Sequence, residues 1–277
     1  MLAAEIPSTG HVKTWTRARR LVDQTGRWPV VYWTARDWDD LLIWDRFDRK
    51  DFEAADRGSH ISGGTSVTEL MARAEALDLE ALLEEEAAQE WKRKFVDSHV
   101  REALAEVGEK WGRTPPEAEV RQAAVEASDH KLGIERFLLE WELAQGPPPA
   151  TRLERILAGW LDDLMTPPDE SSFLLLLPTI RPWEVYAYIE GLWNRPSDRL
   201  VAAAHRWYER FGAECIAIWP GSVTQLHVER PPADVWTAWE LARQHYLLAP
   251  DTVNEISLRD YARALVGAQY WELASRP

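Results

Sequence analysis

The sequence predicts an α+β fold, a mixed or antiparallel sheet with packed helices and a large helical insertion. Three observations predict it. Short runs rich in β-branched and aromatic residues, such as Val30-Val31-Tyr32-Trp33 and Cys215-Ile216-Ala217-Ile218, lie on either side of the middle of the chain. Between them, from Thr65 to about Met165, Ala, Glu, Leu and Arg dominate at helical spacing, with almost no β-branched runs. After Pro168 the segments alternate in the order β, α, β, β, α, α, β, the element order of a ferredoxin-like split βαβ sheet with additions.

The elements follow from local chemistry. Residues 9–24 place Trp15, Ala18 and Val22 at helical spacing, and Gly26 follows as a stop. Residues 28–33 read as a strand, and residues 38–56 as a turn and short helix. Ser66 with Glu69 three residues later is a capping box, opening a helix with Leu70, Ala74 and Leu77 on one face. Thr114-Pro115-Pro116-Glu117 starts another helix, Gly146-Pro147-Pro148-Pro149 ends one, and residues 151–165 form the last before Pro167-Pro168. Residues 173–177 then read as a buried strand and 182–189 as a short helix. Residues 197–211 form an amphipathic helix with Ala203, Trp207 and Phe211 inward, closed by Gly212. Residues 214–219 and 223–228 make two strands around a Pro220-Gly221-Ser222 turn. Pro231-Pro232 opens a helix through Trp236, Trp239, Leu241 and Tyr246; a Pro250-Asp251 loop, a helix at 257–266 and a strand at 269–273 complete the chain. Three regions result: residues 1–64, a helix and strand joining the C-terminal sheet; residues 65–166, the acidic helical insertion; and residues 167–277, the α+β domain.

Charge narrows the partners. The 277 residues carry 46 acids against 32 Lys and Arg, a net charge of -14. Residues 69–145 hold 19 acids and 10 bases, so -9 of that total belongs to the helical block. Phosphate backbones need a clustered basic surface, so nucleic acid is not an expected partner. A basic protein is, since opposite charge steers association. No run approaches the ~20 apolar residues of a membrane span, and Met1 to Gly10 shows no basic-then-apolar leader, so no membrane partner and a cytoplasmic location are the expectations.

Catalytic and metal signatures are weak. Cys215, the single cysteine, sits in an apolar run and reads as core; one cysteine excludes an internal disulfide and a thiolate-rich metal site. The seven histidines form no His-x-x-x-His or His-Glu-x-x-His pair, so neither a metal nor another cofactor is expected. His205 with Glu209, and Asp129 beside His130, are the two places where half of an acid–base pair could arise, against a solvated helix face. Pro220-Gly221-Ser222-Val223 lacks the Gly-x-Ser-x-Gly elbow, and residues 58–66 run into a helix without the Lys-Ser/Thr of a phosphate loop. Glu84-Glu85-Glu86 point in different directions around a helix and do not converge on an ion. The sixteen tryptophans, spread from Trp15 to Trp271, serve as core or as binding anchors.

Several motifs carry a resemblance. Leu177-Pro178-Thr179, Pro182-Trp183-Glu184-Val185, Trp193-Asn194 and the run from Arg206 to Glu214 resemble, in order and spacing, the domain-of-unknown-function 4253 family. Arg230-Pro231-Pro232, Ala249-Pro250-Asp251 and Tyr270-Trp271 extend the likeness, which covers about residues 173–273, with Gly26-Arg27-Trp28-Pro29 resembling the family's upstream segment. The family has no established activity to carry over. This chain has Arg195 and Ala249 where members often carry Cys before proline, and Trp271-Glu272-Leu273-Ala274 replaces the family's aromatic, acid-terminated ending. The polar residues within the resembling part, Asn194, Arg206, Glu209, Pro250 and Asp251, beside Trp183, Trp193 and Trp207, define the expected pocket, unless Asn194 and Asp251 only cap or turn the chain. The leading expectation is a non-enzymatic, cytoplasmic, immunity-like module binding a basic partner through the acidic helices. The alternatives are an enzyme or small-ligand domain using that pocket, and a structural subunit of a larger assembly.

Overall fold

The computed structural model describes residues 1–7, 10–34, 66–88, 96–146, 171–189, 191–192, 195–219, 221–253 and 256–275. They form an α+β fold with eleven helices and a six-stranded mixed sheet, the class the sequence predicts. The expected turn and helix at 38–56 and the expected helix at 151–165 lie outside the described residues. The chain divides into two compact units, Met1–Leu79, Ile156–Pro231 and Gly267–Pro277 in the first, Glu80–Arg155 and Pro232–Val266 in the second.

The first unit is built on the sheet. Its strands are β1 (Leu2–Ile6), β2 (Trp28–Thr34), β3 (Ser171–Leu177), β4 (Ala213–Trp219), β5 (Val223–Val228) and β6 (Tyr270–Ala274). They are ordered β1-β3-β2-β4-β5-β6, with β2 and β4 parallel and every other pair antiparallel. The element order after Pro168 is that of a split βαβ, but the pairing is not: β2 lies between β3 and β4, and β6 pairs with β5. Strand β1 has no β-branched run to announce it; exposed along most of its length, it is held by its ladder to β3.

Helices cover both faces. On one, α1 (His11–Arg19) lays Trp15 over the sheet, its indole N–H donating to the Pro29 carbonyl at 3.0 Å and its ring 5.9 Å from that of His227. The short α2 (Val22–Thr25) follows, stopped by Gly26 at φ +64°; the chain therefore breaks the single expected helix at Arg20-Leu21. On the other face lie α8 (Val185–Tyr188) and α9 (Ser197–Phe211), where the Tyr186 hydroxyl meets Thr224 at 2.8 Å and Phe211 packs edge-on to Trp271. Ala203, Trp207 and Phe211 are buried as the spacing predicts. Gly212 ends α9 at φ +65°, and a Cβ there would also stand 2.9 Å from Glu229 Cβ. The N-cap half of the expected box is formed: Ser66 accepts from the Glu69 amide at 3.1 Å and opens α3 (Val67–Ala76), which packs on α9. Replacing Ser66 with Ala is expected to cost about 1 kcal/mol, read as a shift of the denaturation midpoint.

The second unit is helical: α4 (Leu79–Ala87), whose first residue belongs to the sheet unit, α5 (Val96–Trp111), α6 (Glu117–Glu126), α7 (His130–Gln145), α10 (Val235–Leu248) and α11 (Leu258–Leu265). Val100, Val107, Val120, Ile134 and Leu138 form its core, with Trp111 and Trp141 edge-to-face at the margin. Helices α6 and α7 approach so closely that a Cβ on Gly133 would stand 2.3 Å from the Ala123 carbonyl oxygen. Helix α3 belongs to the sheet unit, and α10 and α11, from the family-like part, belong with α5, α6 and α7. Helix α10 also starts later than the Pro231-Pro232 signal, at Asp234, whose carboxylate caps the Trp236 and Thr237 amides.

What holds α11 there is a buried ion cluster. Arg259 is fully buried; its Nε donates to Glu142 at 2.9 Å, one terminal nitrogen to Glu135 at 2.7 Å, and the other lies 2.9 Å from Glu106. Lys110 pairs with Asp260 at 2.6 Å, and Arg263 bridges Asp260 and Glu142. Burial alone would pull the Arg259 guanidinium down, but the three glutamates outweigh it and hold it above its usual value. Asp260 is held low against burial by Lys110, Arg259 and Arg263. Removing one partner of such a cluster strands the others, so Arg259→Met is expected to cost about 3–5 kcal/mol, measured by chemical denaturation.

Candidate functional site

The residues named from the sequence are only partly brought together. Trp183 lies on a 3-10 turn, Pro182–Glu184, and stacks on His205 with ring centroids 4.4 Å apart and planes 23° from parallel. Tyr208 lies tilted against the same indole at 4.8 Å. His205 Nε2 is 3.6 Å from the Glu209 carboxylate, so the sequence pair His205–Glu209 forms and Trp183 joins it. Trp207, next on α9, points into the core, and Arg206 is exposed. Pro250 is exposed and Asp251 half-buried in a 3-10 turn, Pro250–Val253, of the helical unit. Trp193 and Asn194 lie outside the described residues.

Two further polar groups of the sheet unit have structural explanations. Thr179 donates to Glu184, accepts from the Arg181 amide at 3.0 Å, and Arg181 pairs with Glu184 at 2.9 Å, so this motif locks a turn. Cys215 is buried and burial pushes its thiol up to about 12, which fits the expected core cysteine. Glu272 is different. Its cross-strand partner Gln225 donates to it at 2.8 Å, yet burial pushes the carboxyl up to about 7. Between the ordinary carboxyl range and that value the folded chain holds a proton that the unfolded chain releases. Stability from Glu272 is therefore full at low pH and lost as pH rises through about 7. Glu272→Gln is expected to flatten the fall in the thermal midpoint between about pH 5 and pH 8; an unchanged slope would assign it to other groups.

The helical unit contains a cavity of about 440 Å³ among α5, α7 and the start of α11. Charge defines its wall: Glu102 and Glu106 from α5, Lys131 and Glu135 from α7, and Asp260 from α11, with Ile134 and Val253 as apolar surface. Helical geometry places these groups, since Glu102 and Glu106 are one turn apart, as are Lys131 and Glu135. Burial raises the Glu106 carboxyl, and Glu135 and Asp260 add to the rise while Arg259 opposes it.

A histidine pair borders this cavity. His99 Nδ1 and His130 Nε2 are 2.7 Å apart with the rings stacked at 4.8 Å, so one nitrogen donates to the other. His99 lines the cavity and is held below the usual imidazole range, first by burial and then by Lys131. Asp129, the first residue of the Asp129-His130 pair seen in the sequence, caps α7 through the Lys131 and Leu132 amides and accepts from Tyr246 at 3.5 Å. Among the described residues no group of three His, Cys, Asp or Glu is arranged to hold a metal ion.

Sequence reasoning did not single out His99, Glu106, Glu135 or Arg259. A signal existed for the acids: Glu135 and Glu142 are seven residues apart on α7, in the same stripe as Leu138 and Leu139, where a charge implies a buried counter-charge. Nothing in the sequence joins His99 to His130.

Residues 173–274 match the family model described as Domain of unknown function (DUF4253), which agrees with the motif resemblance. The matched segment contributes β3 to β6 and α8 and α9 to the sheet unit, and α10 and α11 to the helical unit. No curated protein and no solved structure matches the chain.

Proposed function

We propose that the protein is a non-enzymatic cytoplasmic binding module whose acidic helical unit captures a basic protein, in the manner of an immunity protein neutralising a toxin. A cationic side chain of that partner occupies the charged cavity.

The observation that carries this reading is the charge balance at the cavity. The wall carries Glu102, Glu106, Glu135 and Asp260 against Lys131, four negative groups to one positive, and the ion cluster behind it sets Arg259, Lys110 and Arg263 against Glu106, Glu135, Glu142 and Asp260. The shortfall is felt at the mouth, where Glu106 is 43% exposed and its carboxyl is raised by burial beside like charges. An ammonium or guanidinium group there supplies the missing charge. The surroundings favour its approach: among the described residues of 80–146, nine exposed positions are acidic, and Arg101, Arg113 and Arg136 are the exposed basic ones.

Titration calorimetry with an arginine-rich peptide and a matched aspartate-rich peptide tests it. The arginine-rich peptide is expected to bind saturably, more weakly as salt rises, and the double variant Glu102→Gln, Glu106→Gln to lose roughly tenfold in affinity. Absence of charge-dependent binding at low and moderate salt contradicts the reading.

A further inference from the structure

At one corner of the sheet unit three buried polar atoms meet no hydrogen-bond partner: His11 Nε2, Trp33 Nε1 and Ser172 Oγ. The residues are 8%, 4% and 2% exposed. They come from three adjoining elements, α1, β2 and β3. Trp33 and Ser172 are directly opposed on β2 and β3, so their side chains share one face of the sheet. Ser172 is in turn opposite Ile6, the last residue of β1; the chain then returns through Gly10 into α1, where His11 packs edge-on to Trp33 with ring centroids 5.6 Å apart.

The N-terminus of α1 lies at this corner and is unlike that of a typical capped helix. Its cap is Gly10, which offers no side-chain acceptor, and its first turn holds no acid. Lys13 is the basic residue nearest this end; Arg17 and Arg19 lie in the last turn, where Arg19 pairs with Glu214. Helix N–H groups and an uncompensated dipole favour an anion. An unmatched buried donor or acceptor is costly, and three at one place call for a shared partner.

The chemistry of the three atoms selects that partner. Trp33 donates only, and Ser172 donates or accepts. His11 makes a hydrogen bond with the backbone of Pro7, which leaves its Nε2 to accept. The ligand must therefore offer acceptor oxygens and one O–H. We propose that this corner binds a free phosphate ion, with P–O acceptors on Trp33, Ser172 and the α1 amides and the P–OH donating to His11. The near-complete burial of the three side chains favours a small ion over a phosphate ester with its organic group. The site is separate from the cation cavity, and either can fail without the other.

Sulfate has the shape and charge of phosphate and no O–H at neutral pH, so it is the control. Titration calorimetry of the full chain is expected to show saturable phosphate binding at least roughly tenfold tighter than sulfate. Trp33→Phe and Ser172→Ala, each folded by thermal melt, are expected to weaken phosphate by about tenfold. The proposal is overturned if neither anion saturates, which would leave the three atoms to ordered water alone, or if sulfate binds as tightly as phosphate. It is equally overturned if both folded variants bind phosphate unchanged; should neither fold, the phosphate–sulfate comparison on the native chain decides.

Discussion

A guanidinium removed from water must be surrounded by carboxylates, and in this chain that single requirement decides which helices belong together. Arg259 lies in the segment that matches the family, whereas Glu106, Glu135 and Glu142 lie in helices upstream of it. The pairing therefore ties α11 to α5 and α7. Helix α10 comes with it, through its packing on α11 and the His245–Tyr261 hydrogen bond at 2.8 Å. The upstream helices are accordingly part of one helical unit completed by two helices of the matched segment.

The same cluster makes the cavity. Both Glu135 oxygens accept from Arg259, and Asp260 Oδ1 accepts from Lys110 and Arg263, so the cluster fixes two of the carboxylates that line the cavity. A buried ion cluster is a poor source of net stability compared with apolar packing. Its value lies in holding charged groups at set positions, which is what a recognition surface needs. The sheet unit shows the contrast: its motif residues Thr179, Arg181 and Glu184 satisfy one another in a turn and leave little polar capacity for a ligand.

Most elements were legible where local chemistry and tertiary structure agree. The β-branched and aromatic runs at β2, β4 and β5, the Ser66 cap, and the Gly26 and Gly212 stops all act through neighbours in sequence. Three features were not legible for stated reasons. Leu2-Ala3-Ala4-Glu5-Ile6 is a strand only because β3 offers it a ladder. The insertion of β2 between β3 and β4 is a long-range pairing that no local pattern encodes. Ser257-Leu258-Arg259-Asp260 reads as an ordinary helix start, and its burial depends on acids more than a hundred residues away. For the site, the His205–Glu209 spacing was enough to find one pair; the stacking of Trp183 on His205 comes from a separate turn and had no local signal. The cavity escaped because its wall comes from separate helices, each of which alone looks like a solvated face.

Native-state hydrogen exchange resolved by helix tests the central claim most directly. If Arg259 binds the matched segment to the upstream helices, amides of α10 and α11 open together with those of α5 and α7, at one shared free energy and with one denaturant dependence. Exchange of α10 and α11 in step with β4 and β5, with α5 and α7 opening independently, would contradict it.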